Sequence, residues 1–234
     1  MPVTLVNTTS GSNSNLTNGS NLTITKPSGV VQNDLLIAIC GMNATATSWA
    51  LPSGWTQQLA FRGNGEELTV WYKVAGASEG ASYNFTVTSA GALDGGFGMI
   101  ALRGADTTTP ILANSAEFDQ GGASTSMTAN SVSWTGAADA ISLIFMTWQS
   151  SAATVTWPSG WDNTTNGWTS NDGFEWSAVG CNLTTQSAVT SLPAKTNPPT
   201  LSVAEFGQCG QLAIKVAAAA AASPPQIFYG YGPN

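Results

Sequence analysis

The sequence repeats its own landmarks at an offset of little more than a hundred residues, and this internal repeat constrains the fold more than any other feature. Leu51-Pro-Ser-Gly-Trp55 recurs as Trp157-Pro-Ser-Gly-Trp161, and the apolar run that begins at Asp34 recurs from Asp139. Each repeat spans about a hundred residues, which is the typical size of one β-sandwich unit. The chain therefore consists of two copies of one folding unit.

The two copies are expected to pack against each other, because the connection between them is short. The join near Asp106–Pro110 contains no glycine and so differs from a flexible linker. We assign residues 1–109 to the first copy, 110–217 to the second and 218–234 to a C-terminal tail. A single larger sandwich that draws strands from both copies is the alternative that the sequence leaves open.

The pattern of apolar residues predicts strands rather than helices. Residues 34–40 are almost continuously apolar, as in a strand buried on both faces, whereas 67–75 and 83–88 alternate with period two. The Ser-, Asn- and Gly-rich residues 11–21 predict a loop or a mobile arm. The expected fold class is all-β: two tandem antiparallel β-sandwich copies, jelly-roll or Ig-like, with an extended C-terminal tail.

Composition excludes several classes of function. Only 8% of the residues are charged, against about 25% in an average domain, and the net charge is -7. A chain with so few basic residues cannot neutralise many phosphates, so no nucleic-acid partner is expected. Histidine is absent, which excludes Ser-His-Asp and Cys-His catalytic units and His-containing zinc sites.

Neither a metal, a cofactor nor a membrane is expected to bind. The Asp residues are scattered without the spacing of a calcium loop. The longest apolar run, residues 216–222, is far shorter than the ~20 residues that cross a bilayer.

The carboxylates do not suggest an enzyme. Glu66 and Glu67 are adjacent, and adjacent side chains on a strand point to opposite faces, so they cannot act as a catalytic pair. Asp172 and Glu175 are the candidates for a glycosidase, which is the least favoured alternative. We assign no catalytic residue.

Tryptophans are the residue class best suited to binding a ligand. Trp55 and Trp161 end Pro-Ser-Gly-Trp motifs, which predict type I turns with Gly at the closing position, and their rings are expected to cover the ends of a core. Trp49, Trp148 and Trp168 lie among Ser, Thr and Asn, and are candidates for stacking on a glycan. The alternative is that they decorate the ends of the sandwich.

The three cysteines are interpreted as buried free thiols. Cys40 lies inside an apolar run, and none of the three has CxxC spacing. A bridge between Cys181 and Cys209 remains open.

The tail combines extended backbone with large side chains. Pro224 and Pro225 prevent helix continuation, and four anchors follow: Ile227, Phe228, Tyr229 and Tyr231. Such a segment is suited to binding a neighbouring protein surface. The alternative is a frayed terminus.

Residues 20–217 resemble a β-sandwich module of tailed-phage virion proteins and bacterial surface proteins. The resemblance rests on these ordered segments: Pro27-Ser-Gly-Val-Val-Gln-Asn-Asp-Leu-Leu-Ile-Ala, Pro-Ser-Gly-Trp-Thr, Leu-Thr-Val-Trp-Tyr-Lys-Val-Ala, Tyr-Asn-Phe-Thr-Val and Ile-Ala-Leu-Arg-Gly-Ala-Asp-Thr-Thr-Thr-Pro. The pattern includes no catalytic residues.

The resemblance implies a structural role in a virion. With an extended aromatic tail and no collagen-like or coiled-coil shaft, the chain looks more like a capsid decoration, or cement, protein than a fibre tip. Such proteins are commonly homotrimers bound to the major capsid protein. The expected location is the capsid surface after synthesis in the host cytoplasm, since the N-terminal residues do not resemble a signal peptide. A carbohydrate- or receptor-binding tail-fibre or adhesin module is the main alternative.

Overall fold

The structure is a computed structural model that describes residues 2–43, 48–63, 65–88, 91–119, 122–149, 154–158, 160–161, 168–171, 175–195 and 200–219. In these ranges every regular secondary-structure element is a β-strand, which confirms the predicted all-β class. The strands are β1 (Thr4–Leu16), β2 (Asn21–Thr25), β3 (Leu35–Met42), β4 (Ser48–Ala50), β5 (Thr56–Gly63), β6 (Glu66–Val74), β7 (Ser82–Thr88), β8 (Leu93–Arg103), β9 (Ile111–Asn114), β10 (Phe118–Asp119), β11 (Ser124–Ser126), β12 (Val132–Gln149), β13 (Val155–Thr156), β14 (Trp168–Asn171), β15 (Glu175–Leu192), β16 (Thr200–Glu205) and β17 (Gly207–Lys215).

The strands form four antiparallel sheets, two large and two small. The first large sheet has the order β1-β8-β3-β6-β5, and the first small sheet has the order β2-β7-β4. The second large sheet has the order β10-β17-β12-β15-β14, with β9 also paired to β17, and the second small sheet has the order β11-β16-β13. All strands of the first two sheets precede Gly104, and all strands of the other two follow Pro110.

The strand order of the first half recurs in the second. β8, β3 and β6 occupy the same relative places as β17, β12 and β15, and β7 lies between its two partners as β16 does. The repeated landmarks of the sequence therefore correspond to a repeated pattern of strand pairing. Within the described ranges, strands pair only inside their own half, and an isolated bridge joins Ala105 to Val216.

The two large sheets face each other, and each small sheet covers the outer face of its own large sheet. The central core contains apolar side chains of both halves, among them Leu35, Ile37, Leu68, Ile100, Ile141, Leu143, Val179 and Leu212. One outer core combines residues of the first large and first small sheets, and the other combines residues of the second pair. The molecule thus has four layers, and one continuous apolar interface joins its halves.

The layer in which a strand lies explains the pattern of buried and exposed residues along it. Every residue of β3 is buried, as predicted, because this strand lies in an inner layer with a sheet on each face. β7 belongs to an outer layer, and its predicted alternation is confirmed by a burial pattern that alternates along the strand.

Polar groups at one end of the central interface tie the halves together. The Ser177 hydroxyl of β15 donates to the Gly96 carbonyl oxygen at 2.6 Å and accepts from the Gly41 N–H at 2.9 Å. Gln208 Nε2 of β17 donates to the Glu66 carbonyl oxygen at 3.2 Å. Each bond contributes about 1 kcal/mol of stability and fixes the register between the two large sheets.

The predicted loop or arm at 11–21 is wrong for its first part. Residues 11–16 complete β1, which pairs along β8 at the edge of the first large sheet. An edge strand exposes one face and one row of backbone groups to water, so polar residues are tolerated there. Gly11 fits because a Cβ at this position would lie 2.9 Å from Phe97 Cζ.

The Pro-Ser-Gly-Trp motif forms a turn, but the predicted type I geometry is wrong. Trp55 N–H donates to the Pro52 carbonyl oxygen at 3.2 Å, so proline is the first residue and Gly54 the third. Gly54 has a φ of +81°, as a type II turn requires at that place. Glycine is needed here because other residues are strained at positive φ.

Both motif tryptophans cover a core, as predicted. Trp55 is 7% exposed and packs edge-on against Tyr83 and Phe85 in the first outer core. Trp161 is 5% exposed and belongs to the second outer core.

The three thiols are free and buried, as interpreted from the sequence. Cys40, Cys181 and Cys209 belong to three different cores, which explains why no bridge joins them. Burial raises the pKa of the Cys181 and Cys209 thiols. Both are held in the protonated, poorly nucleophilic form.

Candidate functional site

The structure narrows the set of tryptophans that could stack on a glycan. Trp148 is fully buried in the second outer core, so its interpretation as a stacking ring is wrong. Trp49 is half-buried, packs edge-on against Trp71 and donates its Nε1–H to Glu67 Oε1 at 3.1 Å. Trp168 lies on β14, and its side chain is outside the described residues.

The two adjacent carboxylates of β6 are both buried. Glu67 is 1% exposed and accepts hydrogen bonds from Arg62, Trp49 and Thr69. Glu66 is also buried, on the opposite face of the strand. Asp172 and the side chain of Glu175 lie outside the described residues.

The sequence located the join between the two halves and the end of the second copy, but it did not reveal that these two places lie side by side. The chain turns at Gly104, whose φ is +89°, and a Cβ there would lie 2.6 Å from the Pro2 carbonyl oxygen. Backbone hydrogen bonds then connect the linker to the end of β17: Asp106 N–H donates to Lys215 O at 2.9 Å, and Ala217 N–H donates to Gly104 O at 2.8 Å. The linker and the exit of the C-terminal tail are therefore neighbours.

Two adjoining hollows open beside this junction, and we call them together the junction groove. They measure about 480 and 380 Å³ and share Ala137, Ala138 and Lys215. The larger hollow also contacts Asp106, Asp139 and Ala217–Ala219, and the smaller one contacts Ile111, Leu112 and Trp134. The groove therefore combines an apolar side with three charged groups.

In the first half, an ion pair occupies the corresponding corner. Arg103 makes two hydrogen bonds of 2.8 Å to the buried carboxylate of Asp34 and one of 3.0 Å to the Gly29 carbonyl oxygen. Such a bidentate pair holds the ends of β3 and β8 together.

A register difference of one residue explains why this pair is not repeated. Leu35 pairs with Leu102, and the equivalent core pair in the second half is Ile141 with Ile214. Ala140, not Asp139, therefore occupies the place of Asp34, and the sequence match between the two aspartates is one residue out of register. Lys215 has the place of Arg103 but faces an alanine.

Lys215 pairs with the linker instead. Its Nζ lies 3.1 Å from Asp106 Oδ2 and 3.2 Å from Thr109 Oγ1. The pKa of Asp106 is lowered by backbone hydrogen bonds from Thr109 and Thr108 and by Lys215, which together outweigh the effect of partial burial. Asp106 therefore stays ionised and holds the linker against β17.

Asp106→Asn should destabilise the junction in a pH-dependent manner. A lowered folded-state pKa contributes stability that is complete above the unfolded pKa of about 4 and is lost as the pH falls through the lower, folded value. We expect a loss of about 1 kcal/mol at pH 7, which shrinks towards pH 2.5. Thermal unfolding at both pH values measures it. An equal loss at the two pH values would show that charge is not responsible.

The described part of the chain contains neither a metal-ligating cluster nor a membrane-spanning helix. These ranges contain no cluster of three or more His, Cys, Asp or Glu side chains able to hold a metal ion. Among the same residues, no helix has the length and apolar character needed to cross a bilayer. The four tail anchors, Ile227, Phe228, Tyr229 and Tyr231, lie outside the described residues.

Known proteins offer no match: the sequence fits no family model and matches neither a curated protein nor a solved structure.

Proposed function

We propose that this chain is a non-catalytic structural protein of a phage virion, a decoration protein that binds the assembled capsid as a homotrimer and stabilises it. The proposal rests on two grounds. Residues 20–217 resemble virion β-sandwich modules, and the folded body has a continuous core and few unpaired basic groups. A ligand that binds the assembled shell and not its separated subunits shifts the equilibrium towards the shell.

The observation that carries the proposal is the continuous core between the two halves. Residues of both large sheets pack in one apolar cluster, and hydrogen bonds such as that from Gln208 to Glu66 cross the same interface. Two units joined in this way cannot swing as separate domains do. A stiff body loses little conformational freedom on binding, which suits a protein that attaches by surface fit.

The distribution of charge supports the same role. Four of the six basic side chains form ion pairs within the molecule: Arg62, Lys73, Arg103 and Lys215. Contacts made elsewhere on such a surface desolvate few isolated charges, and burying an isolated charge is the costly step in association. A broad polar contact with the major capsid protein is therefore feasible.

Deleting residues 223–234 should weaken binding to the shell. The deletion removes the four large anchors and leaves every described strand in place. Losing the contacts of these anchors, whether with the shell or between copies of the bound trimer, should lower affinity for the shell at least tenfold, which corresponds to about 1.4 kcal/mol. The measurement adds purified protein to particles assembled without it, then records copies bound per major capsid protein and the melting temperature of the particles.

A matched variant and the copy number make the test decisive. Gln226→Ser alters the tail without removing an anchor and should bind as the unmodified chain does. The proposal requires a copy number comparable to that of the major capsid protein. It would be overturned by absence of binding, or by a handful of copies per particle, which would indicate a tail component.

A further inference from the structure

We propose that the junction groove receives the C-terminal segment of a second copy of this chain. The inference concerns association in solution and does not rest on the capsid proposal. It combines the shape of the groove, the place where the tail leaves the body and the residues that the tail carries.

The groove lies at a corner where the two halves differ. In the first half, Arg103 and Asp34 pair at the corresponding corner, whereas Ala140 leaves Lys215 without a carboxylate across the ladder. The two halves therefore present different side chains at equivalent positions of this corner.

The lining of the groove fits a neutral, aromatic peptide. Ile111, Leu112 and Trp134 provide apolar surface on one side, against which aromatic rings can pack. Lys215 provides an ammonium group that can lie over a tyrosine ring.

The tail begins at this groove and carries the matching residues. Ala217, Ala218 and Ala219 line the larger hollow, and residues 220–234 follow them. This stretch contains no charged residue, and its large side chains are Ile227, Phe228, Tyr229 and Tyr231. Its composition therefore matches the groove.

The stretch between the body and the anchors is long enough for the tail to reach the groove of a second copy. The first anchor follows Ala219 by eight residues, with Pro224 and Pro225 in between. Prolines favour extended backbone of about 3.1 Å per residue, so the anchors can lie about 25 Å from the point where the tail leaves the groove. A copy related by closed symmetry can receive that tail and return its own.

The experiment measures the oligomeric state of the full chain by sedimentation velocity over a range of concentrations. The unmodified protein should associate. Two variants should dissociate at concentrations at least tenfold higher than those at which the unmodified protein dissociates. They are a tail variant, Phe228→Ser/Tyr229→Ser/Tyr231→Ser, and a groove variant, Trp134→Ala. Ala137→Gln provides a second groove variant, because this exposed alanine lines both hollows and contributes to none of the cores. Ser133→Gln, exposed on the same strand, is the matched control and should associate normally.

Mixing the two defective proteins distinguishes exchange between copies from binding within one copy. The tail variant keeps an intact groove, and the groove variant keeps an intact tail, so a labelled tail variant should associate when the unlabelled groove variant is added. The proposal is overturned if the unmodified chain stays monomeric, if Ala137→Gln associates normally or if mixing restores nothing. Shell binding is scored separately, so the capsid proposal can fail while this inference holds, and the reverse.

Discussion

Replacing Gly41 with alanine should lower the free energy of unfolding by about 3 kcal/mol, at the upper end of the cost of overpacking. An added Cβ would overlap Thr147 Oγ1 and lie 2.5 Å from Ser177 Oγ, both on the opposite large sheet. Neither neighbour can withdraw easily, because Ser177 also holds Gly96 and Thr147 is fully buried. The two large sheets would have to separate locally.

Thermal unfolding followed by circular dichroism measures this effect. A chain of this length loses roughly 10 °C in melting temperature for 3 kcal/mol. Gly91→Ala is the matched control, because a Cβ there meets no atom within 4 Å, and we expect a change within 0.5 kcal/mol. A Gly41→Ala protein that melts within 2 °C of the unmodified chain would contradict the close contact of the large sheets.

Trp148→Ala should be still more destabilising, by about 4 kcal/mol. The Trp148 side chain is 0% exposed and is one of the two largest fully buried side chains. Its removal leaves a cavity between the second large sheet and the second small sheet, near Met127, Leu201 and Cys209. The rigid ladders on both sides of the cavity limit how far the core can collapse.

Urea unfolding measures the stability of this variant, and a glycan-binding assay is carried out beside it. Val203→Ala in the same half, where the side chain is 45% exposed, should change stability by less than 0.5 kcal/mol. Any glycan binding lost in Trp148→Ala would have to be attributed to loss of folding. If the variant unfolds at the same urea concentration as the unmodified chain, the second outer core is not packed as described.

Several features were predictable because they depend on local pattern. Period-two alternation identified β7, and a continuous apolar run identified β3 as buried on both faces. Repeated Pro-Ser-Gly-Trp motifs identified the duplication and two tryptophans that cover cores. Apolar surroundings identified Cys40 as a buried thiol.

The errors have a common cause, which is that the partner strand was unknown. Residues 11–16 look like a loop by composition, but β8 provides a ladder that orders them. Trp148 looks exposed beside Thr147 and Gln149, but it lies in an inner layer covered by a small sheet. Likewise, the match of Asp34 to Asp139 ignored a shift of one residue, and such a shift moves every side chain to the other face.

The junction groove could not be predicted from the sequence. Its lining comes from three segments that are well separated along the chain: the linker with β9, the middle of β12, and the end of β17. The clearest signal in the sequence is the mismatch between the Asp34–Arg103 pair and its counterparts in the second copy. That signal becomes readable only when the strand register is known.

The sequence by itself determined the all-β class, the internal duplication and the scarcity of charge, because composition and side-chain period are properties of short segments. Only the tertiary structure decided that the two large sheets share a core, that Gly41 must lack a side chain and that the corner at Lys215 is open. These depend on which strand lies opposite which, and that choice is made by the burial of apolar faces between segments about a hundred residues apart.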